Sequence, residues 1–406
     1  MVSFYIDVLQ AGVSCLMVIG VGFILSKFKI FEPDEFNVFN SINSKICLPF
    51  LLFRSLASRK MKDLSFMPLV NALLMSASTQ LLVAISCAIF PFPDKLATYL
   101  STVISSVYIN YIIIGLPIFN SIWGTMYNHI PAICTFTHYI LLVPVYIILA
   151  QIWQIKQNKA LEHLKEPLTQ NHDGENPIDA EKPITNDENS KTKKEEEDND
   201  KKVDKKVDDK IEDKQKGKNE NKTTNNEGSK TKPAVVNDKI TIKDIGLAFY
   251  TTIKTPLVIG NVLGLVWSAI GIDYYPFFQQ LGKYMGDVVL VFALVSIGRF
   301  LQVNSLLSCH WAHLLICLFI RCFVCPGFSA LYAYALNFDG RLARQCIVLS
   351  SLPAANAGFV LANSMGIGAN VASAMVFWSL IIIVPVLIFW FFIFNHFNLF
   401  PEIDEI

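Results

Sequence analysis

The chain has 406 residues, of which 52% are hydrophobic, and its mean hydropathy of +0.42 argues against an ordinary soluble domain. Its 34 basic and 34 acidic residues cancel, so net charge gives no sign of a nucleic-acid partner. Nine cysteines are scattered through apolar segments without the spacing of a disulfide framework. The composition therefore indicates an all-α integral membrane protein.

Apolar runs, divided at charged and turn-forming clusters, predict ten transmembrane helices of roughly 20 residues each. The N-terminus has no basic n-region and no clear cleavage site, so we expect the first apolar run to be retained as a span. Five predicted spans precede a polar segment and five follow it, at 6–26, 36–57, 66–90, 96–123 and 131–153, then at 245–270, 277–301, 311–336, 342–363 and 371–394.

The polar segment at 156–240 is rich in Lys, Glu, Asp, Asn and Thr and almost lacks aromatic residues. Such a composition cannot bury enough apolar surface to offset its chain entropy, so it predicts a disordered hydrophilic loop. The loop is either a solvated linker or a site for regulatory partners. Lysines near the span ends on its side favour a cytoplasmic loop, although Arg59, Lys60 and Lys62 lie on the other side.

Two of the predicted spans contain residues that a continuous membrane helix does not tolerate. In the stretch 349–362, Pro353 removes a backbone donor and Asn356 places an amide in hydrocarbon. The stretch 103–124 contains Asn110 and Pro117 in the same way. Unwound backbone at membrane depth persists only where it is buried in protein or lines a cavity. Both stretches therefore predict Pro-broken helices.

The two halves resemble each other. LLVPVYIILA closes the first half and IIIVPVLIFW closes the second, and each follows a broken helix. We therefore predict a repeat of five plus five helices, with units at 1–155 and 241–406. Because each unit has an odd number of spans, the second copy enters the membrane from the opposite side and the repeat is inverted. The two broken helices can then cross at one site.

The crossing is the predicted substrate site. Half-helix N-termini carry free N–H groups and a partial positive charge, which favour an anion. We expect the anion to contact two asparagines, two serines and the two prolines of the broken helices. These residues are Asn110, Asn356, Ser106, Ser351, Pro117 and Pro353. The alternative is that these polar groups only satisfy freed backbone. Gly115 and Gly358 are expected to permit close helix crossing.

Ionisable residues inside predicted spans are candidates for a functional role, because a charge in the membrane is costly. Lys283 and Asp287 are one turn apart, so they form either an ion pair or a proton- or cation-coupling site. Arg321 needs a partner that the sequence does not identify. The motifs formed by His310 with His313 and by Cys322 with Cys325 lack further ligands, so no metal or cofactor is predicted. No catalytic arrangement is present, and we do not expect an enzyme.

An ordered series of segments resembles the auxin efflux carrier family, which includes the PIN and PIN-like membrane transport proteins. The series spans both membrane halves and comprises IFEPDEFNVFNSINSKICLPFLLFRSLA, NYIIIGLPIFNSIWG, TPLVIGNVLGLVWSAIG, GDVVLVFALVSIGRFL and SLPAANAGFVLANSMGIGANVASAMVFWSLIIIVPV. The PAANAGF motif differs from that of plant PIN proteins and favours the PIN-like and microbial branches.

The resemblance implies a fold like that of sodium/proton antiporters and bile-acid symporters, in which the first two helices of each repeat form a scaffold that dimerises. The last three would form a transport domain that moves by an elevator-like shift. It also implies export of an auxin-like organic anion such as indole-3-acetate, across the plasma membrane or the endoplasmic reticulum membrane. Two alternatives remain: a sodium- or proton-coupled organic anion transporter that uses Asp287, and a membrane receptor or scaffold that transports nothing.

Overall fold

A computed structural model describes residues 2–169, 246, 250, 252–305 and 307–401. Within these ranges the chain is helical and contains no β-strand, apart from one isolated bridge. The all-helical prediction is therefore confirmed for the described residues. The segments Met1–Asn158 and Asn237–Ile406 form one compact unit. The predicted loop at 156–240 lies outside the described residues from 170 onward.

Eight α-helices precede the loop. In chain order they are α1 (Val2–Lys27), α2 (Pro33–Ile42), α3 (Leu48–Ala57), α4 (Met67–Ile89), α5 (Lys95–Val107), α6 (Gly115–Trp123), α7 (His129–Cys134) and α8 (Val143–Thr169).

Eight further α-helices follow the loop in the described residues. They are α9 (Pro256–Ile270), α10 (Pro276–Val303), α11 (Trp311–Phe319), α12 (Cys325–Ala335), α13 (Gly340–Ser351), α14 (Asn356–Met365), α15 (Ala369–Ile381) and α16 (Ile383–His396).

Several of these helices are long and apolar enough to cross a membrane. Five segments qualify on length and hydropathy, namely Leu9–Lys27, Met67–Ile89, Thr125–Asn158, Pro276–Val303 and Trp311–Ala335. A sixth is available if the bent pair of α15 and α16 forms one span. The other predicted crossings are short or interrupted helices, so the count of ten remains a prediction.

The beginning of the charged segment is helical, which corrects the predicted boundary of the disordered loop. We expected the loop to begin at Lys156, but α8 continues to Thr169. The residues KQNKALEHLKE include many Ala, Leu, Lys, Gln and Glu, which are the strongest helix formers. A highly charged sequence can therefore continue a helix that begins with apolar residues.

Three π-helical segments interrupt the long helices, and each lies just before a proline. They are Asn43–Cys47, His138–Leu142 and Ile320–Val324, and they precede Pro49, Pro144 and Pro326. Proline cannot bond to the carbonyl four residues earlier and clashes with it. In all three cases that carbonyl falls inside the π segment, where the wider turn relieves the clash.

Pro385 has a stronger effect than these three prolines. The axes of α15 and α16 differ by 61°, and the bend is at Ile382, where φ is −89° and ψ is 0°. The carbonyl that loses its partner belongs to Ile381, the last residue of α15. We predicted one span over 371–394, and the structure shows two helices joined at a proline bend.

Small residues allow close helix packing between the two halves of the sequence. A Cβ atom added at Gly298 of α10 would lie 2.1 Å from the Ile19 carbonyl oxygen of α1. A Cβ atom added at Gly260 of α9 would lie 2.4 Å from the Pro49 carbonyl oxygen of α3. Backbone therefore touches backbone at both contacts, as in many membrane helix pairs.

The outer faces of the bundle are apolar. Met17 of α1, Leu81 of α4 and Val291 of α10 expose 67%, 62% and 52% of their surface. Exposed apolar surface of this extent marks an interface with lipid or with other protein, which agrees with the apolar composition of these helices.

Asp94 ties the start of α5 to α8. Its carboxylate accepts hydrogen bonds from the Ala97 backbone N–H at 2.9 Å and from the Trp153 indole N–H at 2.7 Å. Desolvation raises the pKa of Asp94, but these two hydrogen bonds and the charge of Lys156 outweigh it, so the net pKa is lowered. The ionised form therefore stabilises the folded state.

We expect Asp94→Asn to lower stability at neutral pH by up to about 1 kcal/mol, because asparagine can still cap α5 but lacks the charge that interacts with the helix N-terminus and with Lys156. A carboxyl group with a lowered pKa contributes fully above its unfolded pKa of about 4, and the contribution is lost as pH falls through the folded pKa. Thermal unfolding of purified protein between neutral and acid pH measures both effects. Asp63→Asn, at an exposed position, is the control and should not change the profile.

Candidate functional site

Both predicted broken helices are interrupted in the structure. The α5 helix ends at Val107 and α6 begins at Gly115, so seven residues between them are unwound. The α13 helix ends at Ser351 and α14 begins at Asn356. Leu352 has φ −60° and ψ 159°, the extended conformation that the residue before a proline favours. Pro353 therefore accounts for the second break.

The first break begins upstream of Pro117. Tyr108 already has φ −76° and ψ 100°, whereas Pro117 is the third residue of α6. Proline is tolerated there because the first-turn N–H groups of a helix have no intrahelical partner. Asn110, which lies inside the unwound segment, marks this break in the sequence better than Pro117.

The two unwound segments cross and pair. Ile109 and Ala354 form an isolated antiparallel bridge. On one side of it the Asn110 N–H donates to the Pro353 carbonyl at 3.0 Å, and on the other the Ala355 N–H donates to the Tyr108 carbonyl at 3.0 Å. Each break thus satisfies backbone groups that the other break exposes, as buried backbone requires.

Side chains from neighbouring helices bind the remaining N–H groups of the bridge. The Ile109 N–H donates to Nε2 of His138 at 3.1 Å, and the Ala354 N–H donates to the Ser379 hydroxyl at 3.0 Å. His138 belongs to the π segment before Pro144, and its ring lies 4.2 Å from the ring of Tyr108. Because Nε2 accepts a hydrogen bond, the His138 ring is neutral with its proton on Nδ1.

Arg321 joins the C-terminal ends of both half-helices. Its side chain is fully buried. Its Nε donates to the Leu352 carbonyl at 2.5 Å, one terminal nitrogen donates to the Ser106 carbonyl at 3.0 Å, and the other lies 3.4 Å from the Pro353 carbonyl. The partners that the sequence could not identify are therefore carbonyl groups, where a helix carries its partial negative charge. The guanidinium neutralises two helix ends at once.

The two polar atoms of the Asn110 side-chain amide have different roles. Its Oδ1 accepts from the Ile113 N–H at 3.0 Å and from the Ile114 N–H at 3.4 Å, so it caps the turn that leads into α6. Its Nδ2 is buried without a hydrogen-bond partner. A buried unsatisfied donor costs about 1–3 kcal/mol. Asn110 therefore presents an amide donor that a bound acceptor would satisfy.

Asn356 is the first residue of α14, at the end of the second break. Its side chain is half-buried, and its Oδ1 is buried without a hydrogen-bond partner. Its backbone N–H and that of Ala357 make no backbone hydrogen bond to the described residues. Free N–H groups at a helix N-terminus are suited to an anion.

The two serines are differently used from the two asparagines. The Ser106 hydroxyl donates to the Thr102 carbonyl at 2.5 Å, and the Ser351 hydroxyl donates to the Val348 carbonyl at 2.8 Å. Both are almost fully buried. Their protons are therefore occupied within their own helices, and only their lone pairs face other groups.

Gly115 and Gly358 lie where the two broken helices touch. A Cβ atom at Gly115 would lie 2.7 Å from Cδ1 of Leu352, and one at Gly358 would lie 3.2 Å from the Ile104 carbonyl oxygen. Each glycine thus contacts the other broken helix. Larger side chains at either position would push the two half-helices apart.

Lys283 and Asp287 lie away from the crossing, on α10. Both side chains are exposed. Among the described residues, the ion pair within 4.0 Å is that of Lys60 with Asp273, so the expected Lys283–Asp287 ion pair is not formed. An exposed ion pair contributes about 0–1 kcal/mol, which is too little to hold two long side chains together.

The crossing thus combines an unpaired amide donor, free N–H groups at the start of α14 and a buried guanidinium. Amide donors and helix N-terminal N–H groups are groups to which anions bind, and the side chains of Asn110 and Arg321 are buried. No acidic side chain donates to or accepts from the bridge residues within the described chain. The arrangement is suited to reversible binding, because the ligand contacts are neutral amides rather than a direct salt bridge.

Two residues of the site were missed by the sequence analysis, His138 and Ser379. Both lie six residues before a VPV proline, His138 in the π segment before Pro144 and Ser379 in α15 before Pro385. The sequence does contain a signal, because polar residues six positions before these prolines fall at a π segment or a bend. That rule would have selected His138 and Ser379 together.

Comparisons with known proteins agree with these observations. The sequence model of a family described as "Membrane transport protein" matches residues 7–391. A protein of Oryza sativa subsp. japonica named "Probable auxin efflux carrier component 5b" is 24% identical over 147 residues. That alignment covers 34% of this chain and 39% of the rice protein, so the chain matches well under half of the relative's length.

Proposed function

Because this chain belongs to the membrane transport protein family, we propose that it carries a small organic anion across a membrane and binds it where the two broken helices cross. The observation that supports the proposal most directly is the buried Nδ2 of Asn110, which has no acceptor. A carboxylate oxygen would supply that acceptor. The N-terminus of α14 and the Arg321 guanidinium would stabilise its charge.

The proposed anion is auxin-like, a carboxylate attached to an aromatic ring such as indole-3-acetate. Aromatic rings border the crossing, since His138 lies between Tyr108 and Tyr111 at ring distances of 4.2 and 5.2 Å. Flat apolar surfaces of this kind favour ring stacking. The name of the rice relative supports the same substrate class.

The proposed architecture is ten spans in a five-plus-five inverted repeat, with units at 1–155 and 241–406. The proposal is supported by contacts between the two halves of the sequence. The α1 helix packs against α10, α3 packs against α9, and the two broken helices pair with each other. Transport would follow an elevator-like shift of the broken-helix domain against the scaffold. The scaffold would form a homodimer in the plasma membrane or endoplasmic reticulum, with the loop cytoplasmic and open to regulatory partners.

The alternative of ion-coupled transport through Asp287 has weaker support. Asp287 is exposed on α10, whereas the bridge residues bind a neutral histidine, a serine and an arginine. Separate dissipation of sodium and proton gradients in proteoliposomes decides the question. Flux that persists without either gradient would exclude coupling.

Asn356→Ala tests the proposed site. Since the Asn356 Oδ1 has no partner to lose, the substitution should leave the thermal unfolding midpoint unchanged. It should lower uptake of labelled indole-3-acetate into proteoliposomes at least about tenfold, which corresponds to roughly 1.4 kcal/mol of lost binding.

Asn363→Ala, an exposed asparagine on the same helix, is the matched control and should transport like the wild type. Unchanged flux in Asn356→Ala would contradict the site. Binding of the anion without any flux in the wild type would favour a receptor over a carrier.

A further inference from the structure

A polar cavity lies at one end of the bundle, outside the helix crossing. It has a volume of about 250 Å³ and lies between the end of α3 and the connection from α6 to α7. Ser58 and Thr125 on its rim are exposed, so the cavity is reached from the surface. Nine helical residues of α6, or about 14 Å at 1.5 Å per residue, separate the connection from the break beside Asn110.

The cavity wall carries positive charge. Arg54 and Arg59 both line it, and none of the described residues that line it is acidic. The nearest ion pair, Lys60 with Asp273, is exposed and has an N–O distance of 3.7 Å. Two guanidinium groups without a carboxylate partner create a field that attracts anions.

The donors of these arginines are largely uncommitted. Arg59 donates from one terminal nitrogen to the Met126 carbonyl at 2.7 Å, which anchors the group and leaves its other N–H groups available. Arg54 makes no ion pair within 4.0 Å among the described residues. Its side-chain stem lies against Gly282 of α10, where an added Cβ atom would come within 2.7 Å of its Cδ. Packing thus fixes the direction of the Arg54 side chain.

A buried amide completes the wall. Asn128 lines the cavity, and its Oδ1 is buried without a partner. Rotation of the amide by 180° would direct its two N–H donors to the same position. Asn128 therefore offers an amide, besides the two guanidinium groups, to a ligand in this cavity.

We propose that this cavity, which we call the Arg54–Arg59 site, binds the carboxylate of an organic anion separately from the helix crossing. Arginine pairs with planar carboxylates through parallel N–H···O bonds. Leu51 and Met126 provide apolar contact for the rest of the molecule. That this anion is also the transported substrate rests on the proposed function. The positive charge of the cavity does not depend on the proposed function.

The site joins elements that the proposed elevator would move apart. Arg54 lies in the last turn of the proposed scaffold helix α3 and Arg59 just after it, and Asn128 precedes α7 of the proposed transport domain. An anion held here would wait at the boundary between the two, at the end of the Thr125–Asn158 span opposite the linker. The site would therefore collect substrate before or after transfer.

Equilibrium binding of indole-3-acetate to the full-length protein in nanodiscs, at low ionic strength, tests the inference. We expect binding of the double variant Arg54→Gln/Arg59→Gln to be at least about tenfold weaker, and of Arg54→Lys/Arg59→Lys to be intermediate. Lys62→Gln removes an exposed charge that does not line the cavity and should bind like the wild type. Added salt should weaken binding in the wild type more than in the Gln variant.

Chemical labelling gives a second measurement that needs no variant to fold. Phenylglyoxal modifies accessible arginines, and indole-3-acetate should slow its reaction at Arg54 in the wild type, as read by mass spectrometry. Equal affinity in the wild type and the Gln variant, or unprotected Arg54, would overturn the inference.

The outcome for the crossing is separable from this one. Asn356→Ala should lower flux at least about tenfold and keep the protection of Arg54, which would support both sites. Protection of Arg54 in a wild-type protein that transports nothing would overturn the proposed function and leave the Arg54–Arg59 site standing.

Discussion

Replacement of Arg321 with leucine should destabilise the protein by at least about 3 kcal/mol and abolish anion flux. A hydrogen bond from a charged donor contributes about 1.5–3 kcal/mol, and Arg321 makes such bonds to Leu352 and Ser106 besides its longer contact with Pro353. Leucine would fill the space but leave buried carbonyls without donors. Thermal unfolding in detergent and uptake into proteoliposomes measure the two effects.

Two further variants separate the role of the charge from that of the hydrogen bonds. Arg321→Lys keeps the charge but cannot reach several carbonyls with a planar group, so its stability should fall between those of leucine and wild type. Arg299→Leu removes an arginine that donates to one carbonyl, that of Pro33, at the exposed end of α10, and should cost less than about 1 kcal/mol. A leucine variant at 321 as stable as the wild type would contradict this account.

Asn110→Asp should keep the fold and lose transport. The aspartate oxygen can still cap α6 through the Ile113 and Ile114 N–H groups, and a negative charge at a helix N-terminus is favourable. The second oxygen, however, replaces the Nδ2 donor and repels an anion. Two like unit charges 4 Å apart repel each other with an energy of about 4 kcal/mol at an effective dielectric constant near 20. Flux should therefore fall at least about 100-fold.

Asn110→Ala is the companion variant and should fail in both respects. It removes the cap, which costs about 1 kcal/mol, and it removes the donor. Comparison of thermal midpoints and uptake for the two variants therefore assigns the oxygen to stability and the nitrogen to transport. Full flux in Asn110→Asp would show that Nδ2 does not contact the substrate.

The breaks themselves were predictable from local chemistry. Pro353 and Asn356 are incompatible with a continuous helix in hydrocarbon, and they lie beside the observed break. Asn110 sits within the other break, whereas Pro117 lies past it, because proline in the first turn of a helix breaks nothing. Residues that are unfavourable in a continuous membrane helix therefore marked the two breaks. The rule that proline interrupts a helix marked a break only where the proline would lie in a helix interior.

The partners of Arg321 and the role of His138 could not be read from the sequence. Both depend on which helices become neighbours, and the carbonyl groups that Arg321 binds carry no residue-type signature. Lys283 and Asp287 have a favourable spacing on one helix, but they do not form the expected ion pair. Both side chains are exposed, and solvent competes with such a pair. Local spacing predicted helix interiors well and tertiary contacts poorly.

The bridge between Ile109 and Ala354 has a consequence for biosynthesis. Ser106 and the arginine that binds its carbonyl are 215 positions apart in the sequence, so the first broken helix leaves the ribosome long before its partners exist. Until the later helices are inserted, the carbonyls of Ser106 and Tyr108 lack the donors that Arg321 and Ala355 supply, at a cost of several kcal/mol per unpaired group in lipid. Chains truncated before Pro353 should therefore remain bound to the insertion machinery or its chaperones and be degraded rather than accumulate.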